Sequence, residues 1–268
     1  MACWPVGLRQ HIPLPNLHSP AMFDGMETKA KPAERNDLSH SRSGQCAPFA
    51  RVRLVVYDLD GTLVDSFRDI WKCVNRVFTD FGLQPLTFDR VKGAVGDGAR
   101  TLIQRLLNST QQGSIDEVHR RFIEYYRENP TAEARLYPGV KAVQAKVRRA
   151  GITQAILTNK PHPLTLLTCS HLALTDSVDG IWGAQEDRPL KPDPESLLAI
   201  LRYYDVPVAN VVMVGDYGAD HQVARSAGVA MIGVTWGLLS REESLACKPD
   251  ALIDRMDQLP KLLGLNAD

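Results

Sequence analysis

Two aspartates, Asp58 and Asp60, stand one residue apart at the end of a short apolar run from Leu54 to Tyr57. The run is too short and too rich in β-branched residues for a helix, so it predicts a buried strand that ends at the acids. Gly61 supplies the turn that follows. Because ligands bind outside the carboxyl ends of the strands of an open parallel sheet, the acids are expected at the functional edge of such a fold. Asp58 is therefore the candidate nucleophile.

Further polar groups stand at or near the ends of other predicted strands. They are Thr158 and Asn159 after the strand predicted over 154–157, Lys191, and Asp216 and Asp220 after the strand predicted over 211–214. The carboxyl ends of parallel strands share one edge, so these groups are expected to converge on the two acids. Burying a polar group costs free energy because the group loses its hydration. Several polar groups that converge in the interior are therefore hard to explain unless they have a function.

The expected chemistry follows from two carboxylates held close together. Asp58 and Asp216 would repel one another unless a cation lay between them. Mg²⁺ suits such a site because it takes one or two carboxylates together with waters and substrate phosphate. The scattered His and Cys residues form no cluster of the kind that binds zinc. With Mg²⁺ and Lys191 neutralising charge, the expected substrate is a small phosphate monoester.

The same residues predict hydrolysis through an aspartyl-phosphate intermediate. Asp58 attacks phosphorus, and Asp60 protonates the leaving alcohol and then deprotonates the water that cleaves the intermediate. Thr158 and Asn159 are expected to hydrogen-bond the equatorial phosphoryl oxygens. Asp220 has two interpretations, a residue near the metal or a helix N-terminal acid that interacts with the helix dipole.

The periodicity between these groups predicts an α/β chain with one helical insertion. Residues 67–134 carry apolar residues at three- and four-residue steps and predict an all-helical cap domain that closes over the acids. Residues 51–66 and 135–268 alternate strands with helices and predict a doubly wound parallel sheet. Residues 1–50 contain six prolines and no sustained period, which predicts a disordered tail or a translation start placed too far upstream.

The predicted strands cover 54–57, 154–157, 211–214 and 230–234. Within the insertion, helices are predicted over 67–81, around 102–107 and from 114 to before 130. Elsewhere, helices are predicted over 140–150, 164–174 and 192–204, with an apolar stretch over 178–182 and two further elements near 251–253 and 257–263.

The composition excludes several classes of partner. Among 268 residues, 31 are Lys or Arg and 31 are Asp or Glu, so no basic excess indicates binding to nucleic acid or to an anionic membrane. No apolar run approaches the roughly 20 residues that span a bilayer. Five scattered cysteines without metal-ligand spacing favour free thiols in a reducing cytoplasm.

The polar motifs resemble, in order, those of the haloacid dehalogenase superfamily. Asp58-Leu-Asp-Gly-Thr resembles the first motif, Thr158-Asn-Lys the second, Lys191-Pro-Asp-Pro the third, and Gly215-Asp216-x-x-x-Asp220 the fourth. The likeness covers about residues 51–268 and implies a Rossmann-like core with a helical cap inserted after the first motif. It implies Asp58 as nucleophile, Asp60 as acid and base, and Lys191 as the charge-neutralising lysine. It also implies Mg²⁺ held by Asp58, the Asp60 backbone carbonyl and Asp216, with Asp220 nearby.

Within the superfamily, Tyr137-Pro-Gly-Val, Thr158-Asn-Lys-Pro and Val234-Thr-Trp-Gly look most like phosphoglycolate phosphatases. The resemblance makes 2-phosphoglycolate the first candidate substrate. The alternatives are a phosphosugar mutase, a phosphatase for another small metabolite, and a catalytically silent binding or regulatory protein on the same fold.

Several residues keep two interpretations. Lys160 is either a surface lysine or part of the site. Gly96, Asp97 and Gly98 form either a cap turn or a substrate-specificity loop. Arg100 is either an exposed helix arginine or a partner for a substrate carboxylate. Tyr217 stands where many relatives carry a small hydroxyl residue, and this departure bears on the surroundings of the metal site.

Overall fold

The structure, a computed structural model, describes residues 48–107, 115–128 and 131–265. The disordered tail predicted for residues 1–50 lies outside these ranges except for its last three residues, and the helix start predicted at Ser114 also lies outside them. Within the described ranges no helix combines the length and the apolar character needed to cross a membrane.

Eight strands and ten helices are found in the described part of the chain. In chain order the strands are β1 (Leu54–Tyr57), β2 (Val64–Asp65), β3 (Arg135–Leu136), β4 (Thr153–Pro161), β5 (Gly180–Ala184), β6 (Val211–Gly215), β7 (Ala230–Val234) and β8 (Ala251–Ile253). The helices are α1 (Phe67–Asp80), α2 (Phe88–Lys92), α3 (Ala99–Leu106), α4 (Ile115–Glu128), α5 (Val140–Arg149), α6 (His162–His171), α7 (Glu195–Tyr204), α8 (Gly218–Ala227), α9 (Arg241–Ala246) and α10 (Leu259–Leu262).

Six strands form one parallel sheet in the order β5-β4-β1-β6-β7-β8. The central strands β1 and β6 are buried along their whole length, as expected of parallel strands that helices cover on both faces. Val55, Tyr57, Val212 and Val214 belong to one apolar cluster with residues of α5, β7 and α10. The predicted doubly wound, Rossmann-like α/β core is confirmed.

The four helices α1 to α4 of the insertion surround a second apolar cluster. Val74, Ile103, Val118 and Phe122 are buried in it, and Leu164 of α6 joins them from the core side. The insertion therefore has its own interior and rests on α6 through an apolar contact. This arrangement matches the helical cap that the periodicity predicts.

A short antiparallel pair joins the two ends of the insertion. Val64 in β2 pairs with Leu136 in β3, so the chain leaves and re-enters the core side by side. The buried carboxylate of Asp69 in α1 accepts hydrogen bonds from the backbone N–H groups of Glu133 at 2.9 Å and Ala134 at 2.8 Å. Asp69 therefore fixes the start of the first cap helix to the returning strand.

The strand β4 is longer than predicted. It continues past Leu157 to Pro161 because, after an irregularity in register, Pro161 pairs with Ala184 of β5. Thr158, Asn159 and Lys160 consequently lie in a strand extension rather than in a loop. The elements β2, β3, α2 and α9 were not predicted.

Replacing Asp69 with Ala is expected to destabilise the protein by about 2 kcal/mol, because two backbone N–H groups lose a charged acceptor in a buried place. Urea unfolding measures the change. Asp89→Ala, an exposed Asp of the neighbouring cap helix α2, is the matched control and should change stability by less than about 0.5 kcal/mol. Equal effects of the two substitutions would show that Asp69 does not anchor the insertion.

Candidate active site

The site lies where the strand order reverses, at the carboxyl ends of β1 and β6. These neighbouring strands pair with Tyr57 opposite Val214, and the Asp58 backbone N–H donates to the Val214 carbonyl at 2.9 Å. Asp58 follows β1 directly, and Asp216 follows β6 directly. Their positions in neighbouring strands place the two carboxylates side by side at the topological switch point.

Three buried carboxylates cluster around one buried ammonium group. Oxygens of Asp58, Asp216 and Asp220 lie within 4.8 Å of one another. Lys191 Nζ lies 2.6 Å from Asp220 Oδ1, to which it donates a hydrogen bond, and 2.7 Å from Asp58 Oδ1. The second contact is an ion pair without hydrogen-bond alignment, so Asp58 Oδ1 has no well-aligned donor among the described residues.

The pKa values show how unfavourable this crowding is. Burial raises the pKa of Asp58 to about 7; the Lys191 ammonium opposes the rise and the Asp220 carboxylate adds to it. Burial and the carboxylates of Asp58 and Asp220 raise the pKa of Asp216 well above its ordinary value. Burial alone would lower the pKa of Lys191, but Asp220 and Asp58 outweigh it and the pKa is raised. One lysine therefore does not neutralise the cluster.

Asp216 is held by close approach of the backbone. Its Oδ1 accepts from the Thr62 hydroxyl at 2.6 Å, and its Oδ2 accepts from the Leu238 backbone N–H at 2.8 Å. A Cβ atom on Gly61 or on Gly237 would lie 2.2 Å from Asp216 Oδ2, so both positions require glycine. Gly61 also has a φ of +94°, a conformation that glycine adopts without steric penalty.

These residues fit a hard divalent cation. The donors that converge are carboxylate oxygens, the preferred ligands of Mg²⁺. Asp58 Oδ1 lacks an aligned donor, and a cation would relieve the repulsion that raises the pKa values of Asp58 and Asp216. Asp220 is less available, because it accepts from Lys191 and from the backbone N–H of Tyr217 at 3.0 Å. It thus caps α8 and holds Lys191 at once.

Asp60 is positioned by two partners. The Ser66 hydroxyl donates to Asp60 Oδ1 at 2.5 Å, and Lys160 Nζ lies 3.1 Å from each carboxylate oxygen. Ser66 precedes α1, but its side chain makes no capping hydrogen bond there. Lys160 is buried, so its interpretation as a surface lysine is wrong.

The Thr158 side chain lies at the cavity, whereas the Asn159 side chain connects two loops. Thr158 lines the cavity beside Asp58, and its hydroxyl oxygen accepts from the Lys160 backbone N–H at 3.2 Å. The Asn159 amide donates to the carbonyls of Gly96 at 3.0 Å and Lys191 at 2.9 Å, and its oxygen accepts from the Lys191 N–H at 2.9 Å. Its side-chain donors thus contact two loops, and the expected binding of phosphoryl oxygens by Asn159 stays a prediction.

Tyr217 faces the cap rather than the carboxylates. Its hydroxyl donates to Asp97 Oδ2 at 3.0 Å, and Asp97 also pairs with Arg105. A Cβ atom on Gly96 would lie 2.5 Å from the Tyr217 ring, so the ring packs directly on the loop. The Gly96 to Gly98 loop therefore contacts the core and lines the cavity at its two glycines.

Several residues that shape the site were not identified from the sequence. Thr62 lies within the quoted first motif and Ser66 follows it closely, so their proximity to the acids was a usable signal. Lys160 lies in the quoted second motif, but its place in the site was left open. Gly237 lies in the quoted Val234-Thr-Trp-Gly pattern without an assigned role. Tyr126, whose hydroxyl lies 2.7 Å from Lys160 Nζ, is indistinguishable in the sequence from any other apolar-face residue of α4.

The family model described as haloacid dehalogenase-like hydrolase matches residues 55–234. The chain belongs to this family, as the order of its motifs indicates. It is 34% identical over 212 residues to a protein of Cupriavidus necator named "Phosphoglycolate phosphatase, plasmid", with 78% of this chain and 92% of that one covered. It is 36% identical over 205 residues to the phosphoglycolate phosphatase of Agrobacterium fabrum, with coverage of 75% and 88%.

Solved structures show the same architecture. A crystal structure described as a predicted phosphoglycolate phosphatase from Haemophilus somnus superposes with a TM-score of 0.73 at 27% identity, covering 79% of this chain and 98% of the other. The shared fold therefore includes nearly the whole of that relative.

Asp58→Asn is expected to stabilise the metal-free protein at pH 8. The raised pKa means that the folded protein keeps a proton on Asp58 up to about pH 7, whereas the unfolded chain loses it near pH 4. Wild-type stability should therefore fall between about pH 4 and pH 7, and the neutral amide avoids this loss. We expect an advantage of roughly 2–4 kcal/mol at pH 8 that disappears near pH 4.

Urea unfolding in EDTA measures this difference across the pH range. Asp205→Asn, an exposed residue with positive φ, is the control and should follow the wild-type pH profile. A difference that instead grew toward pH 4 would contradict the raised pKa of Asp58.

Proposed function

We propose that the protein is a Mg²⁺-dependent phosphatase that hydrolyses a small phosphate monoester, with 2-phosphoglycolate as the first candidate, through an aspartyl-phosphate. The observation that carries the proposal is the cluster of Asp58, Asp216 and Asp220 around Lys191. The sequence relatives named phosphoglycolate phosphatase support the choice of substrate. From the five scattered cysteines we predict a location in a reducing cytoplasm.

Asp58 is the proposed nucleophile. It lies at the switch point and lines the cavity, where a carboxylate oxygen can attack phosphorus. Lys191 stabilises the carboxylate and offsets the charge of the incoming phosphate. Thr158 lines the same end of the cavity, where its hydroxyl can donate to a phosphoryl oxygen.

Asp60 is the proposed general acid and base. Ser66 and Lys160 hold its carboxylate on two sides, and this fixed orientation is what proton transfer to a leaving oxygen needs. In the second step the same carboxylate takes a proton from the water that attacks the phosphorus of the intermediate, which restores free Asp58.

Asp58, Asp216 and the Asp60 backbone carbonyl would hold Mg²⁺, with Asp220 nearby. A bound Mg²⁺ supplies positive charge that draws the phosphate to the nucleophile and stabilises the charge that develops in transfer. Asn159 has a positioning role in this account, because it connects the Lys191 segment to the cap loop at Gly96.

The cavity beside the acids is small and largely apolar. The cavity has a volume of about 50 Å³ and lies between the acids and the cap residues Ile70, Leu102 and Phe122. A site of this size and character favours a short leaving group over a hydroxyl-rich sugar. This favours the phosphatase over the phosphosugar mutase.

The experiment is phosphate release from 2-phosphoglycolate and a panel of small phosphate esters, with Mg²⁺ and with EDTA. We expect release with Mg²⁺ and its loss in EDTA. Asp58→Asn should lower kcat by roughly a thousandfold or more, because an amide cannot attack phosphorus. Asp205→Asn, at an exposed residue that does not line the cavity, should retain wild-type activity.

The stereochemical course at phosphorus tests the covalent step separately. With a thiophosphate ester that is chiral at phosphorus through oxygen isotopes, attack by Asp58 and then by water inverts phosphorus twice, so the released thiophosphate should show net retention of configuration. Near wild-type activity in Asp58→Asn, or net inversion at phosphorus, would refute the nucleophile assignment. Interconversion of phosphosugars without net phosphate release would favour the mutase.

A further inference from the structure

The cavity contains a single basic side chain among the described residues that line it. Its cap wall is apolar and includes Val95, Ala99 and Leu102, and its charged lining consists of Asp58, Asp60 and Lys160. Lys191 lies beneath Asp58 and is engaged by two carboxylates. An anionic group on a leaving group in this cavity would therefore have Lys160 as its cationic partner.

The two arginines near the cap loop are directed elsewhere. Arg100 pairs with Asp116 at 2.8 Å, and both side chains are exposed. Arg105 pairs with Asp97. Neither arginine lines the cavity, so the interpretation of Arg100 as a carboxylate partner has no support, and Lys160 takes that position.

Lys160 offers the cavity a positive charge, and Tyr126 offers it a hydroxyl donor. Lys160 Nζ lies 2.7 Å from the Tyr126 hydroxyl, which accepts its hydrogen bond. An ammonium group cannot accept, so the hydroxyl proton of Tyr126 is left for another acceptor, and no acceptor for it is found among the described residues. Both residues line the cavity, one from the core and one from the cap.

Burying the Lys160 ammonium costs desolvation free energy, so its presence calls for a role in the site. Its side chain is 5% exposed and faces Asp60 in an ion pair. Removing both charges from water offsets much of the attraction between them, so a buried ion pair contributes little to stability by itself. Asp60 could be oriented by Ser66 and a neutral donor, which leaves the positive charge of Lys160 to be explained.

We propose that Lys160 and the Tyr126 hydroxyl bind the carboxylate of the leaving group and so select phosphate esters of short hydroxy acids. The inference rests on the proposed phosphatase function and deepens it. The phosphate then occupies the end of the cavity at Asp58 and Thr158, and the carboxylate occupies the end at Lys160, with the leaving oxygen between them next to Asp60.

The test compares 2-phosphoglycolate with 2-hydroxyethyl phosphate, which has the same chain length but a neutral hydroxyl in place of the carboxylate. The readout is the ratio of kcat/KM for the two substrates, because any general damage to Asp60 affects both and cancels in the ratio. In Lys160→Met the ratio should fall by about tenfold to a hundredfold. In Tyr126→Phe, which keeps the Lys160–Asp60 ion pair, it should fall by about threefold to tenfold.

Thr158→Val is the matched control, since Thr158 is placed at the phosphate end that both substrates share. It should slow both reactions by the same factor and leave the ratio unchanged. Circular dichroism confirms that each variant is folded, and Tyr126→Phe carries the test if Lys160→Met does not fold.

The outcomes separate the two proposals. A wild-type enzyme that hydrolyses both esters with an unchanged ratio in Lys160→Met and Tyr126→Phe overturns the carboxylate site and leaves the phosphatase standing. A wild-type preference for 2-hydroxyethyl phosphate also overturns the carboxylate site. Absence of phosphate release from both esters and from the panel of small phosphate esters overturns the phosphatase, and the inference falls with it.

Discussion

The structure depends on one electrostatic constraint, three buried carboxylates that share a single ammonium group. Asp58, Asp216 and Asp220 gather at the end of β1 and β6, and Lys191 contacts two of them. The raised pKa values of Asp58 and Asp216 measure the charge that remains uncompensated. A protein that keeps such a cluster gives up stability in its metal-free form. The same excess of negative charge can bind a divalent cation, and the cation can in turn bind a phosphate dianion.

Residues next to the reacting groups tie the core to the cap. Asn159 follows Thr158 and binds the Gly96 carbonyl, Tyr217 follows Asp216 and binds Asp97, and Lys160 binds both Asp60 and Tyr126. The second and fourth motifs thus each contain a residue that contacts the cap beside a candidate site residue. The apolar contact of Leu164 with the cap interior adds to these links. The cap and the candidate site are therefore connected through short stretches of chain.

Much of the fold, and the convergence of Asp58, Asp216 and Lys191 at one sheet edge, could be predicted from the sequence, because both rest on local patterns. The buried run before Asp58 and the apolar periodicity of α1 and α5 define their elements directly. Shorter elements were missed: β2 and β3 form only through pairing of residues far apart in sequence, whereas α9 has a readable capping box at Ser240 and Glu243. Side-chain direction was harder, since the contacts of Asn159 with Lys191 and of Lys160 with Tyr126 are not encoded in any local pattern.

Calorimetric titration of the metal-free protein with Mg²⁺ at pH 6.5 (roughly the middle of the range in which Asp58 is partly protonated) tests the central claim most directly. Repeating it in buffers of different ionisation enthalpy gives the number of protons released. The account predicts saturable binding with proton release, because the cation must displace protons from carboxylates of raised pKa, and loss of both in Asp216→Asn. Binding without proton release, or binding that Asp216→Asn leaves intact, would contradict it.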